Sequence, residues 1–439
     1  MNPPVKPPKS GRLANPVGST VWLYGIGALL GLGLLKLGNP VILDRLVTVP
    51  QGFWEWVFQP WPLSLGVYGI LAWLGIGFVL GARLDLTRLR GWAWFPLVWL
   101  GWQLCAAAST VDRSLTEVTL KHFGICVLLY YAGLFSGREP SDVVPRFAWG
   151  ILVSLVLVCW IGWDQHFGGL EATRRMVYEQ EGWQNLPKDY LKKLSSDRIF
   201  STLVYPNALA GAILLFAPLS IYALYHIRYR YRFVIYATLL GLFVYALSAC
   251  LVWSGSKAGW LISVLMLGVG LWNHEALRRY RRWAVAAVLI LGIGVFFARY
   301  QSYFQKGATS VGARFDYWAA ASQTVAQRPL LGSGPGTFSV MYRAVKAPES
   351  EMALLAHNDY LEQASDSGVP GGIVYLLLFP ACLVRCYRYS RAIPLVFSVW
   401  LGLFGWALQG CVEFGLYIPA LSWSAFFFLG WLERASMEA

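Results

Sequence analysis

The residues best suited to chemistry lie in the segment His-Asn-Asp-Tyr-Leu-Glu, which runs from His357 to Glu362 just before a hydrophobic stretch. Ionisable side chains at a membrane boundary are costly to keep there and usually serve a function. Histidine is the usual proton acceptor near neutral pH, and a nearby carboxylate can orient it. We therefore expect His357 to be the chemical centre. Asp359, Tyr360 and Glu362 are supporting candidates that would orient the histidine or a substrate.

A helix over residues 356–367 would divide this segment into two faces. One face would carry His357 and Tyr360, and the other would carry Asp359 and Glu362. A single surface histidine is more often structural than catalytic, so the segment needs partners elsewhere in the chain.

Possible partners are cations and amides at the ends of other hydrophobic runs. Arg198 precedes Tyr-Pro-Asn, in which Asn207 opens an apolar run, and arginine can bind phosphate through two hydrogen bonds. Lys257 lies in the turn Ser-Gly-Ser-Lys, whose small residues permit close approach. Glu413 is a carboxylate at membrane depth that is expected to pair with Arg198, Lys257 or Arg314. The alternative for Arg198 is an arginine that only reaches the membrane interface. The alternative for the segment with Lys257 is a tight turn between two helices.

Several other chemistries find little support in the chain. The seven cysteines show no metal-ligand spacing, and no His/Cys/Asp cluster in the sequence indicates a site for zinc or another divalent metal. The sequence Gly-Ser-Gly-Pro-Gly at 332–336 follows no buried strand, so a turn-rich loop is favoured over a nucleotide site. The net charge of +13 comes from short basic clusters between apolar runs, which argues against a nucleic-acid partner.

Composition indicates the elements that must position these residues. Of 439 residues, 57% are hydrophobic and 13% are charged, which is typical of an all-α polytopic membrane protein. A bilayer-spanning helix needs about 20 apolar residues, and about twelve runs approach that length. The runs fall at 20–37, 64–81, 92–108, 120–136, 147–163, 203–225, 233–253, 258–273, 284–298, 372–386, 393–410 and 414–432.

Basic residues alternate between the two sides of this predicted arrangement. Short loops on one side carry Lys6, Lys9, Arg12, Arg83, Arg88, Arg90, Arg138, Arg146, Arg228, Arg230, Arg232, Arg278, Arg279, Arg281, Arg282, Arg385, Arg388 and Arg391. By the positive-inside rule, that side and both termini are cytoplasmic. The resulting organisation is a tail (1–19), helices 1–5 (20–163), an outer loop (164–202), helices 6–9 (203–298), a large, partly helical outer loop with the histidine (299–371), helices 10–12 (372–432) and a tail (433–439).

Together these segments resemble the O-antigen ligase-like family, which includes O-antigen ligases, O-antigen and exopolysaccharide polymerases and protein O-oligosaccharyltransferases. The matching pieces lie in residues 197–420. They are Arg198 with Tyr205-Pro206-Asn207, Ser254 to Lys257, Arg314 with Trp318, Pro329 to Phe338, His357 to Glu362 with Gly368 and Gly371, and Val412 to Ala420.

The resemblance implies a GT-C-like membrane glycosyltransferase in the bacterial inner membrane, with its active site facing the periplasm. Its donor would be an undecaprenyl-diphosphate-linked glycan, and no metal or other cofactor would be needed. Arg198, Lys257 and Arg314 would bind the donor diphosphate, and His357 would activate the acceptor hydroxyl. The family usually has arginine at position 257, glutamate at Asp366 and aspartate at Glu413.

The acceptor would be lipid A-core, a second lipid-linked glycan or a protein serine, and it separates ligase, polymerase and protein O-oligosaccharyltransferase. The segment from Val412 to Ala420 favours polymerase-like members. Another class, a multi-pass transporter of bicarbonate or another small solute, also suits about twelve spans. The halves of the chain, however, show none of the similarity that repeat-built carriers have.

Overall fold

The computed structural model describes residues 16–80, 85–136, 144–179, 195–229, 231–305, 309–348 and 350–437. Within these ranges the protein consists of helices and connecting segments, without strands. The α-helices are α1 (Pro16–Lys36), α2 (Phe53–Phe58), α3 (Leu63–Val79), α4 (Phe95–Ala106), α5 (Arg113–Phe135), α6 (Arg146–Asp164), α7 (Leu170–Tyr178), α8 (Pro206–His226), α9 (Phe233–Trp253), α10 (Lys257–Asn273), α11 (Arg281–Gln305), α12 (Thr309–Gln327), α13 (Phe338–Val345), α14 (Asp359–Leu376), α15 (Cys382–Ser390), α16 (Pro394–Gln409) and α17 (Pro419–Met437).

Each predicted hydrophobic run overlaps at least one of these helices. Six of the described helical segments are long and apolar enough to cross a membrane, namely Arg113–Phe135, Arg146–Ala172, Pro206–His226, Phe233–Trp253, Arg281–Gln305 and Asp359–Ser390. Four shorter apolar helices accompany them: Thr20–Lys36, Leu63–Val79, Lys257–Asn273 and Pro394–Gln409. The all-helical membrane class is therefore supported, whereas the number of twelve spans stays a prediction.

Helix α17 forms the centre of the bundle and is buried from Pro419 to Ala435. It packs closely along α5, while α1 packs along α6 and α16 packs along α8. The approach of α17 to α5 depends on Gly430, where an added Cβ would lie 1.9 Å from the carbonyl oxygen of Tyr130. Small residues at such crossings let two backbones come together, as is common between membrane helices.

Helices α9 and α11 lie at the outside of the bundle and present apolar side chains outward. Ile290 and Leu291 of α11 are exposed, as are Phe233 and Val234 of α9. A long apolar helix with so little of its surface buried suits contact with lipid hydrocarbon.

The two long polar segments contain helices. The first includes α7, and the second includes α12, α13 and the beginning of α14. Helix α11 continues to Gln305, beyond the predicted end at 298, and α14 begins at Asp359, ahead of the predicted start at 372. Predicted features at residues 1–15, 81–84, 137–143, 180–194, 230 and 438–439 lie outside the described residues.

Helix α14 is kinked where it meets the segment 329–336. Gly368 has a φ of +73°, and a Cβ there would lie 2.1 Å from the carbonyl oxygen of Leu330. The amide of Val369 donates to the carbonyl of Pro329, and the amide of Gly334 donates to the carbonyl of Asp366, each at 2.8 Å. The segment 329–336 therefore holds the kinked α14 at a fixed position.

Candidate functional site

His357 lies just outside α14, not on its face. Asn358 caps the helix by accepting a hydrogen bond from the amide of Leu361 at 3.0 Å, because asparagine is a favoured N-cap residue. His357 has a φ of +52° in the left-handed region, an uncommon conformation that is most often tolerated in Asn, Asp and His. The prediction that His357 and Tyr360 share a helical face is therefore wrong, because the helix begins only at Asp359.

The carboxylate next to His357 is Glu413, from the connection between α16 and α17. Nδ1 of His357 lies 3.2 Å from Oε2 of Glu413. The imidazole also stacks on Tyr317 with ring centroids 5.7 Å apart and meets Phe414 edge-on at 4.7 Å. Burial raises the pKa of Tyr317 to about 12, so this phenol stays neutral beside the histidine. The ring is therefore held on two sides and through Nδ1.

Glu413 connects His357 to other residues of the site. Its side chain is 7% exposed, and it forms an ion pair with Nη2 of Arg314. Nδ2 of Asn207 donates to Oε1 of Glu413 at 2.6 Å. Burial by itself raises the pKa of Glu413, but His357 and Arg314 outweigh it, and the pKa lies below its usual value. Glu413 is therefore an ionised carboxylate, and of the three cations predicted as its partner, Arg314 forms the ion pair.

Arg198 joins the same group through Asn207. Its Nη2 donates to Oδ1 of Asn207, and its Nε donates to the carbonyl of Ser254, both at 2.7 Å. The small residues of the 254–256 turn admit this side chain: a Cβ on Gly255, whose φ is +61°, would lie 3.1 Å from Nε of Arg198. Burial lowers the pKa of Arg198, but arginine remains charged at any physiological pH.

Lys257 stands at the first position of α10, capped by Ser256, whose Oγ accepts from the amide of Gly259. Its Nζ lies 3.8 Å from the ring centre of Tyr303 and 5.2 Å from that of Tyr300. Both tyrosines lie near the end of α11. Neither was predicted from the sequence to belong to the site. Arg198 and Arg314 both act electrostatically on Lys257, so the three predicted cations share one region.

Asp359, Tyr360 and Glu362 bind backbone groups in this structure. The carboxylate of Asp359 accepts from the amide of Leu416 at 3.1 Å, and Tyr360 donates to the carbonyl of Ala407 at 2.8 Å. Oε2 of Glu362 accepts from the amide of Ala356 at 2.8 Å. Since Leu416 follows Glu413 closely, Asp359 ties the start of α14 to the segment that carries the carboxylate.

Below these residues, a buried polar network fixes α14 against its neighbours. Oε1 of Gln363 accepts from Nε1 of Trp99 at 2.9 Å and from Nε2 of Gln103 at 3.0 Å. The hydroxyl of Tyr417 donates to Oδ2 of Asp366 at 2.8 Å and accepts from Nε2 of Gln363 at 3.0 Å. These buried hydrogen bonds tie α14 to α4 and to the segment before α17, and so help to hold both segments that flank His357 and Glu413.

The glycine-rich segment 332–336 wraps around the kink of α14. The amide of Gly336 donates to Oδ2 of Asp366 at 2.6 Å. Gly334 has a φ of +104°, and a Cβ there would lie 2.4 Å from Oγ1 of Thr110. The segment is thus packed against and hydrogen-bonded to other parts of the protein. This agrees with the predicted turn-rich loop and not with a nucleotide site.

A cavity of about 260 Å³ lies beside α12 and α13. Asp316, Gln323, Tyr342 and Lys346 contribute to its lining, and none of the predicted site residues does. Tyr342 stacks edge-on against Tyr317, with ring centroids 5.3 Å apart. The cavity is therefore separated from His357 by the Tyr317 ring.

The arrangement combines one positioned base with an excess of positive charge. A carboxylate only accepts hydrogen bonds, so Glu413 selects the tautomer of neutral His357 with the proton on Nδ1 and leaves Nε2 free to take one. Arg198, Lys257 and Arg314 outnumber the one carboxylate among them. Such a site can deprotonate a hydroxyl while stabilising a departing anion.

Comparison with known proteins finds a family match for part of the chain. Residues 241–376, from α9 to the end of α14, match the family model described as O-antigen ligase. The matched range contains Lys257, Arg314 and His357, while Arg198, Asn207 and Glu413 lie outside it. No curated protein matches the chain. The match supports an O-antigen ligase-like family and hence a glycosyltransferase-type membrane enzyme, and with the apolar helices it suggests an inner-membrane protein.

Proposed function

We propose that this chain, whose residues 241–376 match the O-antigen ligase family model, transfers a glycan from an undecaprenyl-diphosphate-linked donor to an acceptor hydroxyl. The reaction takes place at the periplasmic face of the inner membrane, with both termini in the cytoplasm. It is metal-independent and inverts the configuration of the anomeric carbon. The observation that carries this proposal is the contact chain from His357 through Glu413 to Arg314, Asn207 and Arg198.

His357 acts as the base. Glu413 holds Nδ1 and stabilises the positive charge that develops when Nε2 takes the acceptor proton. Tyr317 and Phe414 keep the ring from rotating. A base of this kind contributes about 100-fold to 10,000-fold to a rate.

Arg198, Lys257 and Arg314 bind the diphosphate of the donor. Arg198 is held by Asn207 and by the carbonyl of Ser254, so its charge is in place before the substrate arrives. Fixed charges at a boundary of low dielectric stabilise a leaving group without reorganising during the reaction. A diphosphate whose negative charge is stabilised in this way needs no protonation by an enzyme acid.

The step balances as a displacement at the anomeric carbon. The acceptor oxygen forms a bond to this carbon, and its proton passes to Nε2 of His357. The bond between the anomeric carbon and the phosphate oxygen breaks, and undecaprenyl diphosphate leaves with the electron pair. His357 then returns the proton to water. Attack from the face opposite the diphosphate inverts the configuration.

The acceptor we favour is a glycan hydroxyl, either of lipid A-core or of a second lipid-linked glycan. A protein serine is the other possible outcome and would make the enzyme a protein O-oligosaccharyltransferase.

The test is a reaction of the purified protein in lipid nanodiscs with a lipid-linked glycan donor. Separate arms contain lipid A-core, excess lipid-linked glycan or a serine-rich protein, all with EDTA present. Released undecaprenyl diphosphate and an inverted linkage in a glycan arm support the proposal. Product in none of the arms, together with solute uptake by proteoliposomes, would instead establish a transporter.

A further inference from the structure

A second group of reactive side chains lies at the other end of α14 and α15, far from His357. The helical path from Asp359 to Cys382 corresponds to roughly 35 Å at 1.5 Å per residue. There Cys382 and Cys386 lie on successive turns of α15 and face Glu433 of α17. All three are buried. This end of the bundle is the one that the proposed orientation puts in the cytoplasm, where thiols stay reduced.

The three ligand atoms have the spacing of a metal site. Sγ of Cys382 lies 3.9 Å from Sγ of Cys386 and 3.4 Å from Oε2 of Glu433. A tetrahedral zinc ion with Zn–S near 2.3 Å and Zn–O near 2.0 Å requires about 3.8 Å between sulfurs and about 3.5 Å between sulfur and oxygen. Both distances from Cys382 therefore fit zinc, and all three ligand atoms lie within 4.8 Å of one another.

A cation already stands beside these three atoms. Nη2 of Arg385 lies 3.6 Å from Sγ of Cys386 and 3.9 Å from Sγ of Cys382, and it forms an ion pair with Glu433. The Arg385 side chain is 34% exposed and packs over the ring of Trp92. Because the side chain is partly exposed, it can move toward solvent; this movement gives up the ion pair with Glu433 and leaves the three ligands free.

We infer that Cys382, Cys386 and Glu433 form a binding site for a soft divalent cation, with zinc as the fitting ion, and that Arg385 occupies it in the metal-free protein. Binding displaces the guanidinium, releases two thiol protons and leaves a fourth position for water. The bound ion cross-links α15 to the central helix α17. The sequence did not reveal this site because its third ligand lies on a different helix.

The test uses Cd²⁺ as a probe, because cadmium thiolates absorb in the ultraviolet. The full-length reduced protein in detergent should bind one Cd²⁺ per chain with this absorption, and Zn²⁺ should compete for it. Cys386→Ser should weaken Cd²⁺ binding at least tenfold. The matched control is Cys105→Ser, which removes an exposed cysteine of α4 and should leave the binding unchanged.

Arg385→Ala provides a second readout that does not depend on the cysteine variants folding well. Removing the competing cation should tighten Cd²⁺ binding about tenfold or more, and Zn²⁺ should raise the unfolding temperature of this variant more than that of the wild type. Absence of the absorption in both wild type and Arg385→Ala would overturn the inference. Absorption that persists in Cys386→Ser at wild-type affinity would also overturn it.

Discussion

Nδ1 of His357 lies 3.2 Å from Oε2 of Glu413, although the two residues are 56 positions apart in the chain. His357 precedes the N-cap of α14, and Glu413 lies in the connection between α16 and α17. The pair depends on a backbone anchor beside it: the carboxylate of Asp359 accepts from the amide of Leu416. The position of the base is therefore set by the packing of three helices, not by one motif.

Glu413→Gln should lower kcat for glycan transfer about 100-fold while leaving KM for the donor within about threefold. The amide is nearly the same size, but it can no longer stabilise the protonated imidazole. Asp359→Asn is the matched control, because its amide oxygen can still accept from Leu416 and the variant should keep most of the activity. Equal losses in both variants would argue against a distinct role for Glu413.

The stability of the protein should depend on pH through Glu413. Its pKa in the folded protein lies below the usual value of 4.5 because His357 and Arg314 outweigh the effect of burial. A depressed pKa stabilises the fold above the unfolded-state value and loses this contribution as the pH falls through the folded-state value. The difference in unfolding temperature between wild type and Glu413→Gln should therefore be largest above pH 4.5 and narrow below it. A difference that stays constant down to about pH 3 would contradict this expectation.

Arg198→Lys should lower kcat/KM for the lipid-linked donor about tenfold or more. Lysine keeps the charge, but it cannot hydrogen-bond Asn207 and the carbonyl of Ser254 through separate nitrogens of a planar group. Arg175→Lys, a change on α7, is the control and should keep wild-type kinetics. Steady-state rates over a range of donor concentrations measure this effect. An unchanged kcat/KM in Arg198→Lys would show that the guanidinium of Arg198 has no specific role in donor binding.

Gly334→Ala should destabilise the protein by about 2 kcal/mol, because alanine is strained at a φ of +104° and its Cβ would meet Thr110. Gly312→Ala is the control, since a Cβ there meets no heavy atom within 4 Å. This helical substitution should be neutral or stabilise by up to about 1 kcal/mol. Thermal unfolding in detergent compares the two, and similar stability of both variants would show that the 332–336 segment is not a tight structural wrap.

Hydrophobic runs were enough to predict the helical class, because each run overlaps a described helix. They were not enough to predict that α17 is buried on all sides, since a central helix and a lipid-facing helix such as α11 are both apolar. They also did not join the helix considered over residues 356–367 to the run predicted from residue 372, because the first turns of α14 are polar and are stabilised by the Asn358 cap and buried partners.

For the candidate site, residue types pointed to residues that the structure brings together but not to all of their contacts. The expected pairing of Glu413 with a cation is present at Arg314, whereas the orienting partner of His357 was sought in Asp359 or Glu362. Both of these bind backbone amides instead. The packing of α14 against the α16–α17 connection decides which carboxylate lies beside His357. A single sequence contains no signal for how these two distant segments align. Tyr317 and Tyr303 were missed for the same reason.

Single-turnover transfer by His357→Ala, with lipid-linked donor already bound, tests the role of His357 as the base. We expect unchanged donor binding and a rate at least about 100-fold below that of the wild type. His357→Gln should be similarly slow, because an amide cannot take the acceptor proton. Transfer by His357→Ala at the wild-type rate, with donor bound equally well, would contradict the assignment of His357 as the base.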